Sequence, residues 1–232
     1  MNKQISVFNW SGGKDSTLAL HHILQDKSFD VRYLLTTVNE AYNRVSMHGV
    51  RESLLIAQAK SIGIPLYQIR LPESPEMKVY EEYMHRHLMQ LKSEGITHSI
   101  FGDIFLEDLK AYREAKLAEI GMKAVFPLWQ RETTEILKEF IGLGYKTIVV
   151  CAKEGLEDFC GRVIDDSFIA DLPPGIDPCG ENGEFHTFVF DGPIFKKPIN
   201  FTIGEKVFRT YPSPVGDVLA GYWYIDLILI GK

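Results

Sequence analysis

The stretch Trp10-Ser11-Gly12-Gly13-Lys14-Asp15-Ser16-Thr17 constrains this chain more than any other. It follows the apolar run Ile5-Ser6-Val7-Phe8 and precedes Leu18-Ala19-Leu20-His21-His22-Ile23-Leu24, so it reads as strand, glycine turn and helix. Gly12 and Gly13 let a ligand approach the backbone without interference from Cβ, and the helix that follows aims free N–H groups and its positive dipole end at the same point. The result is an anion cradle. Lys14 adds a mobile positive charge, Ser11, Ser16 and Thr17 add hydroxyl donors, and Asp15 supplies a carboxylate of the kind that holds Mg²⁺ between phosphates. The spacing is not that of GxxxxGK[ST], which has four residues between its glycines, nor that of GxGxxG.

After the first helix, Val31 to Val38 is a β-branched run of strand length, and Asn39 to Gly49 reads as a polar loop. A helix is expected from Val50 to Ile62, closed by Gly63, then a strand over Ile64 to Ile69. Met77 to Gly95 is a long helix with Val79, Tyr83, His87 and Leu91 on one stripe, followed by a short strand at His98 to Gly102. Leu109 to Gly121 is helical and Lys123 to Phe126 a fifth strand. This alternation predicts an α/β fold, a Rossmann-like, doubly wound parallel sheet with its ligand at the carboxyl ends of the strands. The pattern changes after Pro127-Leu128-Trp129. One more helix (Thr133 to Leu143) and strand (Thr147 to Cys151) lead into turn-rich sequence at Asp171 to Pro178, then three short strands at Phe185 to Phe190, Ile199 to Arg209 and Gly221 to Ile230. The expected division is residues 1–126 as a nucleotide-binding domain and 127–232 as a smaller α+β domain.

The 232 residues carry a net charge of −6, which argues against a general nucleic-acid binder. No apolar run approaches the ~18 residues of a membrane span. Met-Asn-Lys-Gln leads straight into the first strand, and the expected location is cytoplasmic. Cys151, Cys160 and Cys179 form no CxxC pair, so reduced thiols are expected, Cys151 within a core strand. Tyr222-Trp223-Tyr224-Ile225 could serve a core strand or the contact of a homodimer.

Three further constellations could carry chemistry. Asp103, in Gly102-Asp103-Ile104, should stand at the same sheet edge as the glycine loop, as a ligand for Mg²⁺ or a substrate amine, or else as a helix cap. Arg113 reads as a solvated helix residue unless the fold turns it inward. Arg44, His48 and Arg51 follow the second strand and could recognise an anionic group, with His48 able to relay a proton; a plain polar connection is the other reading. The segment Asp177-Pro178-Cys179-Gly180-Glu181-Asn182-Gly183-Glu184-Phe185-His186-Thr187-Phe188 gathers carboxylates, an imidazole and a thiol beside two glycines, suited to binding or acid–base work unless it is a simple polar hairpin.

Ser11 to Ser16 resembles the SGGxDS signature of the PP-loop, or N-type, ATP pyrophosphatases. That resemblance implies adenylation, in which ATP leaves as AMP and pyrophosphate. Together with Met47-His48-Gly49, Gly102-Asp103-Ile104, Pro127-Leu128-Trp129 and the run from Gly180 to Pro193, it resembles the diphthine-ammonia ligase family over nearly the whole chain. The resemblance implies a HUP-type nucleotide domain joined to a substrate domain, with ATP and Mg²⁺, a small-molecule or protein-borne carboxylate substrate and ammonia meeting in the cleft between them. Ser11, Gly12, Gly13, Lys14, Asp15 and Ser16 would bind the phosphates, Asp15 and Asp103 the metal, and Arg44, His48, Glu181, Glu184, His186 and Thr187 the substrate. Lys14, Asp15, Asp103 and Glu184 would be catalytic.

The family's last motif usually reads GEGGEYET. Asn182, Phe185 and His186 depart from it, and a histidine in place of a carboxylate changes the charge offered to the substrate. Without the further C-terminal domains of eukaryotic members, the chain looks more like the bacterial branch. Two rival functions share parts of this sequence: RNA modification by PP-loop chemistry, against which the acidic balance counts, and a nucleotide sensor without turnover, for which Lys14, Asp15 and Asp103 would be superfluous.

Overall fold

In the computed structural model of the chain, which describes residues 3–45, 49–212 and 219–231, the elements run β1 (Gln4–Asn9), α1 (Lys14–Gln25), β2 (Phe29–Asn39), β3 (Arg44–Val45), α2 (Glu52–Ile62), β4 (Leu66–Leu71), α3 (Met77–Ser93), β5 (His98–Ile100), α4 (Glu107–Glu119), β6 (Lys123–Val125), α5 (Thr133–Gly142), β7 (Lys146–Lys153), α6 (Asp166–Asp171), β8 (Phe185–Asp191), β9 (Phe201–Pro212) and β10 (Leu219–Leu229). Successive side chains of a strand point to opposite faces, and β1 shows the consequence: Phe8 enters one apolar cluster and Val7 another. Both faces of the first sheet are therefore covered, which is why its strands read as apolar runs. Leu18, Leu54 and Leu55 of α1 and α2 pack on the Phe8 side, whereas Leu88 and Leu91 of α3 and Leu117 of α4 pack on the Val7 side.

The parallel strands lie in the order β4-β2-β1-β5-β6. The chain winds outward from β1 through β2 to β4, then returns to the other side of β1 to lay down β5 and β6. This reversal opens a crevice at the carboxyl ends of β1 and β5. The loops entering it are Trp10–Gly13 and Phe101–Ile104. They meet so closely that a Cβ on Gly102 would lie 2.9 Å from Ser16 Cα.

A separate antiparallel sheet follows in the order β8-β7-β10-β9. Phe188 and Val189 of β8 and Ile148 to Val150 of β7 join the Phe8 cluster, so the second sheet completes the cover of that face. Gly63 and Gly95 end α2 and α3 with φ of +88° and +91°, a conformation that glycine adopts without strain.

Two elements differ from the sequence expectation. The stretch from Asn39 to Gly49 contains β3, whose two residues are too few to show a period; it forms because Val45 and Arg44 pair with Val38 and Asn39 of β2. The turn-rich region contains α6, a six-residue helix started by Asp165, whose carboxylate accepts from Phe168 N at 2.9 Å. Cys151, Cys160 and Cys179 are buried thiols outside any disulfide, and among the described residues no helix is long and apolar enough to cross a membrane.

Candidate functional site

The loop after β1 is held open by its own hydroxyls. Ser11 Oγ lies 3.0 Å from Ser16 Oγ and accepts from Gly13 N at 3.3 Å, while Ser16 and Thr17 hydroxyls donate to Gly13 O at 3.0 and 2.8 Å. Gly12 takes φ of +80°, and a Cβ there would press to 2.7 Å from Gln58 Oε1, so both conformation and space demand glycine. α1 then starts at Lys14 with no side-chain cap, leaving its first N–H groups to partners outside the helix. One is supplied by the second sheet: Lys14 N donates to Thr187 Oγ1 at 3.0 Å. Val189 N donates to Gly12 O at 2.9 Å, so β8 is laced to the loop along two of its residues.

Lys14 itself is 2% exposed. Its ammonium donates to Asp15 Oδ2 at 2.8 Å and to the carbonyl of Cys179, and lies 5.4 Å from the centre of the Phe185 ring. Burial works against the ammonium, but the negative groups around it, Asp15 first, hold its pKa above the ordinary lysine value, so it stays charged. Asp15 Oδ1 is buried and, among the described residues, has no hydrogen-bond partner. An orphaned carboxylate oxygen is costly without a donor or a cation.

Facing this pair is the segment from Asp177 to Glu184. Asp177 Oδ1 accepts from Cys179 N and Glu181 N at 2.9 and 3.1 Å, and Gly180 and Gly183 take φ of +72° and +80°. Glu184 is buried and spends both oxygens on the same loop, accepting from Asp177 N, Asn182 N and Asn182 Nδ2 at 3.2, 2.9 and 3.1 Å. Glu184 thus shapes the loop, and Glu181 is the carboxylate the loop presents. Burial, followed by repulsion from Asp15 and Asp103 against the attraction of Lys14, pushes the Glu181 carboxyl up to about 8. Burial, with Lys14 adding to it, pushes half-buried His186 down to about 4, so it is neutral at neutral pH.

Asp103 stands at the crevice edge, as its place after β5 predicts. Arg113 of α4 is turned inward: it forms an ion pair with Asp103 Oδ2 and lies 4.3 Å from the centre of the Phe101 ring. Burial nonetheless leaves the Asp103 carboxyl above its ordinary value, Arg113 offsetting only part of the cost. Among the described residues, no group of three or more His, Cys, Asp or Glu is placed to hold a metal by itself.

Arg44 is drawn elsewhere. Its guanidinium donates to Gly49 O at 2.6 Å and Asp226 Oδ1 at 3.0 Å, and Arg51 Nη2 bonds Asp226 Oδ2 at 2.6 Å. The two arginines border a cavity of about 420 Å³ with Tyr42, Asn43 and Ser53. His48 lies outside the described residues, with Met47 of the same motif. Sequence reasoning misses two residues, and it names Asp177 within the reactive segment without giving it a role. Asp226 sits where β9 and β10 slip register. Gln58 carries only the signal of one more residue on the inner stripe of α2, yet it is fully buried beside the loop.

Residues 3–124 match the model of the diphthamide synthase N-terminal domain, and residues 132–212 match that of the diphthamide synthase C-terminal domain. The chain is 28% identical over 178 residues to a diphthine–ammonia ligase of Danio rerio, covering 68% of this chain and 69% of that protein. It is 26% identical over 169 residues to a diphthine–ammonia ligase of Homo sapiens, covering 66% and 63%. The match to the Schizosaccharomyces pombe diphthine–ammonia ligase is 27% over 109 residues and spans 18% of that longer chain.

Proposed function

The chain belongs to the diphthamide synthase family, and on that premise we propose that it is an ATP-dependent ligase that adenylates a carboxylate and forms an amide with ammonia. In this reading a carboxylate oxygen of the substrate attacks the α-phosphorus of ATP, the bond to the β-phosphate breaks and pyrophosphate leaves. Ammonia then attacks the acyl carbon, AMP departs and one proton is lost, giving the amide. The reading assigns the nucleotide to residues 1–126 and the acceptor to residues 127–232, in a cytoplasmic enzyme that works as a homodimer.

One observation carries it: buried Lys14, paired with half-buried Asp15 whose Oδ1 is orphaned, faces the Asp177–Glu184 loop. Ser11, Gly12, Gly13 and Ser16 frame the phosphates, with the first-turn N–H groups of α1 as donors. Lys14 neutralises charge that builds on the phosphates. Mg²⁺ suits Asp15 Oδ1 and Asp103, because that ion is commonly held by one or two carboxylates together with phosphate oxygens and water. Its chemistry there is to offset phosphate charge. Glu181 faces the acceptor, His186 and Thr187 follow it on opposite faces of β8 as the further acceptor-binding residues, and Glu184 acts by fixing the loop. Arg44, and His48 by its sequence position alone, are assigned the recognition of an anionic group on the acceptor.

Asp15→Asn keeps the side chain's size and removes its charge. Incubation of the protein with ATP, Mg²⁺, ammonium and candidate carboxylates should release AMP and pyrophosphate, and this variant should lower the rate by ~100-fold or more with its thermal midpoint within a few degrees of the parent. ADP in place of AMP, or full AMP release by the variant, overturns the reading.

A further inference from the structure

The outer edge of the second sheet is β9, which pairs only with β10 among the described residues. An edge strand leaves a row of N–H and C=O groups open to another strand, and proteins normally guard such edges with bulges, prolines or projecting lysines. β9 has a bulge at one end, where Gly204 and Glu205 stand opposite Asp226 alone. From Lys206 onward, next to the bulge, it pairs regularly with β10 up to Pro212. Lys206, the residue placed to guard this stretch, is folded back: its ammonium donates to the carbonyl of Glu157 and lies 5.6 Å from the centre of the Trp223 ring. Beside it Phe208 and Tyr211 are 40% and 44% exposed.

We propose that β9 pairs antiparallel with β9 of a second copy of this chain, joining the two four-stranded sheets into one. Symmetry restricts the register. A two-fold axis normal to the sheet keeps every residue on its own face, so a residue can stand opposite only one of the same parity in the regular stretch. Of the charged residues from the edge of the bulge onward, Glu205 and Arg209 share a parity and Lys206 does not. One register alone sets acid against base. It places Val207 opposite its own copy, Phe208 opposite Lys206, and Glu205 opposite Arg209 twice over, once on each side of the axis. Within the single chain, among the described residues, neither Glu205 nor Arg209 has an ion-pair partner, so both are free to make these contacts. The proposal stands whether or not the catalytic reading does.

The test is sedimentation equilibrium of the full chain from about 1 to 100 µM. The parent should be a dimer. Arg209→Glu sets two like-charged pairs across the axis and should weaken the dimer by roughly tenfold or more. Glu205→Arg should do the same, and an equimolar mixture of the two variants should dimerise again, because each then meets its opposite charge. The double variant Glu205→Arg/Arg209→Glu should restore the parent behaviour. Both positions are exposed, so thermal midpoints should match the parent and separate a lost contact from a lost fold. A monomeric parent at 100 µM, a dimer indifferent to Arg209→Glu, or a mixture that stays monomeric overturns the proposal.

Discussion

Gln58 sets one amide between two groups of the glycine loop and one of β8. Its Oε1 accepts from Trp10 Nε1 at 3.0 Å, and its Nε2 donates to Gly12 O at 3.1 Å and Val189 O at 2.6 Å. Two carbonyls on one side and a ring N–H on the other admit only one orientation of the amide. It therefore fixes the approach of the glycine loop to the second sheet. Gln58→Met keeps the length and removes all three bonds, leaving buried polar groups unsatisfied. The expected loss is ~2–4 kcal/mol, read as a shift in the denaturant midpoint with the slope unchanged; a shift corresponding to less than ~1 kcal/mol would show that the three groups find other partners. The loop's glycines are legible in the sequence because close approach and positive φ demand that residue type. A buried glutamine is not, because its periodicity is that of any core position and its partners lie as far as Val189.

At the scale of elements, β8 is where the two sheets meet the loop. Phe185 and Thr187 turn toward Lys14, and Glu184, just before the strand, closes the turn that carries Glu181. The density of reactive groups beside Gly180 and Gly183 is legible in sequence; the division of labour between Glu181 and Glu184 depends on which carboxylate the turn's own N–H groups consume, and only the fold decides that. His186 gives this element a pH signature. Its folded pKa of about 4 lies below the ordinary value of 6.5, so the unfolded chain binds the proton more readily. Its contribution is neutral above pH 6.5, and stability falls as pH drops from 6.5 toward 4. The loss should be on the order of 2 kcal/mol, and His186→Gln should flatten the stability–pH curve in this window. Urea melts of both proteins at pH 7 and 4.5 check it: equal losses in the two would mean that other groups carry the acid limb.

Over the whole molecule, the change of pattern after Trp129 suggests two independent bodies, and the separate matches at residues 3–124 and 132–212 point the same way. The packing argues for one cooperative unit. A single apolar cluster runs from Phe8, Leu18 and Leu54 through Ile136 and Leu137 to Val149, Phe188 and Phe195. The seam also carries Gln58 to Val189, Ser61 Oγ to Lys197 O at 2.6 Å, and the two arginines that converge on Asp226. None of this is readable in the sequence, because every partner lies more than 100 residues away and local periodicity is silent about which apolar face meets which. Exposing the seam would put most of the larger core in contact with water, a cost that neither half offsets alone. Guanidinium unfolding should therefore be one transition, the same by far-UV circular dichroism and by the emission of Trp10, in the first sheet's loop, and Trp223, in the second sheet. Single-tryptophan versions of the chain would read the two sheets separately. Coincident midpoints are expected for both; an earlier midpoint at Trp223 would mean that the second sheet melts away from a nucleotide-binding half that stands by itself.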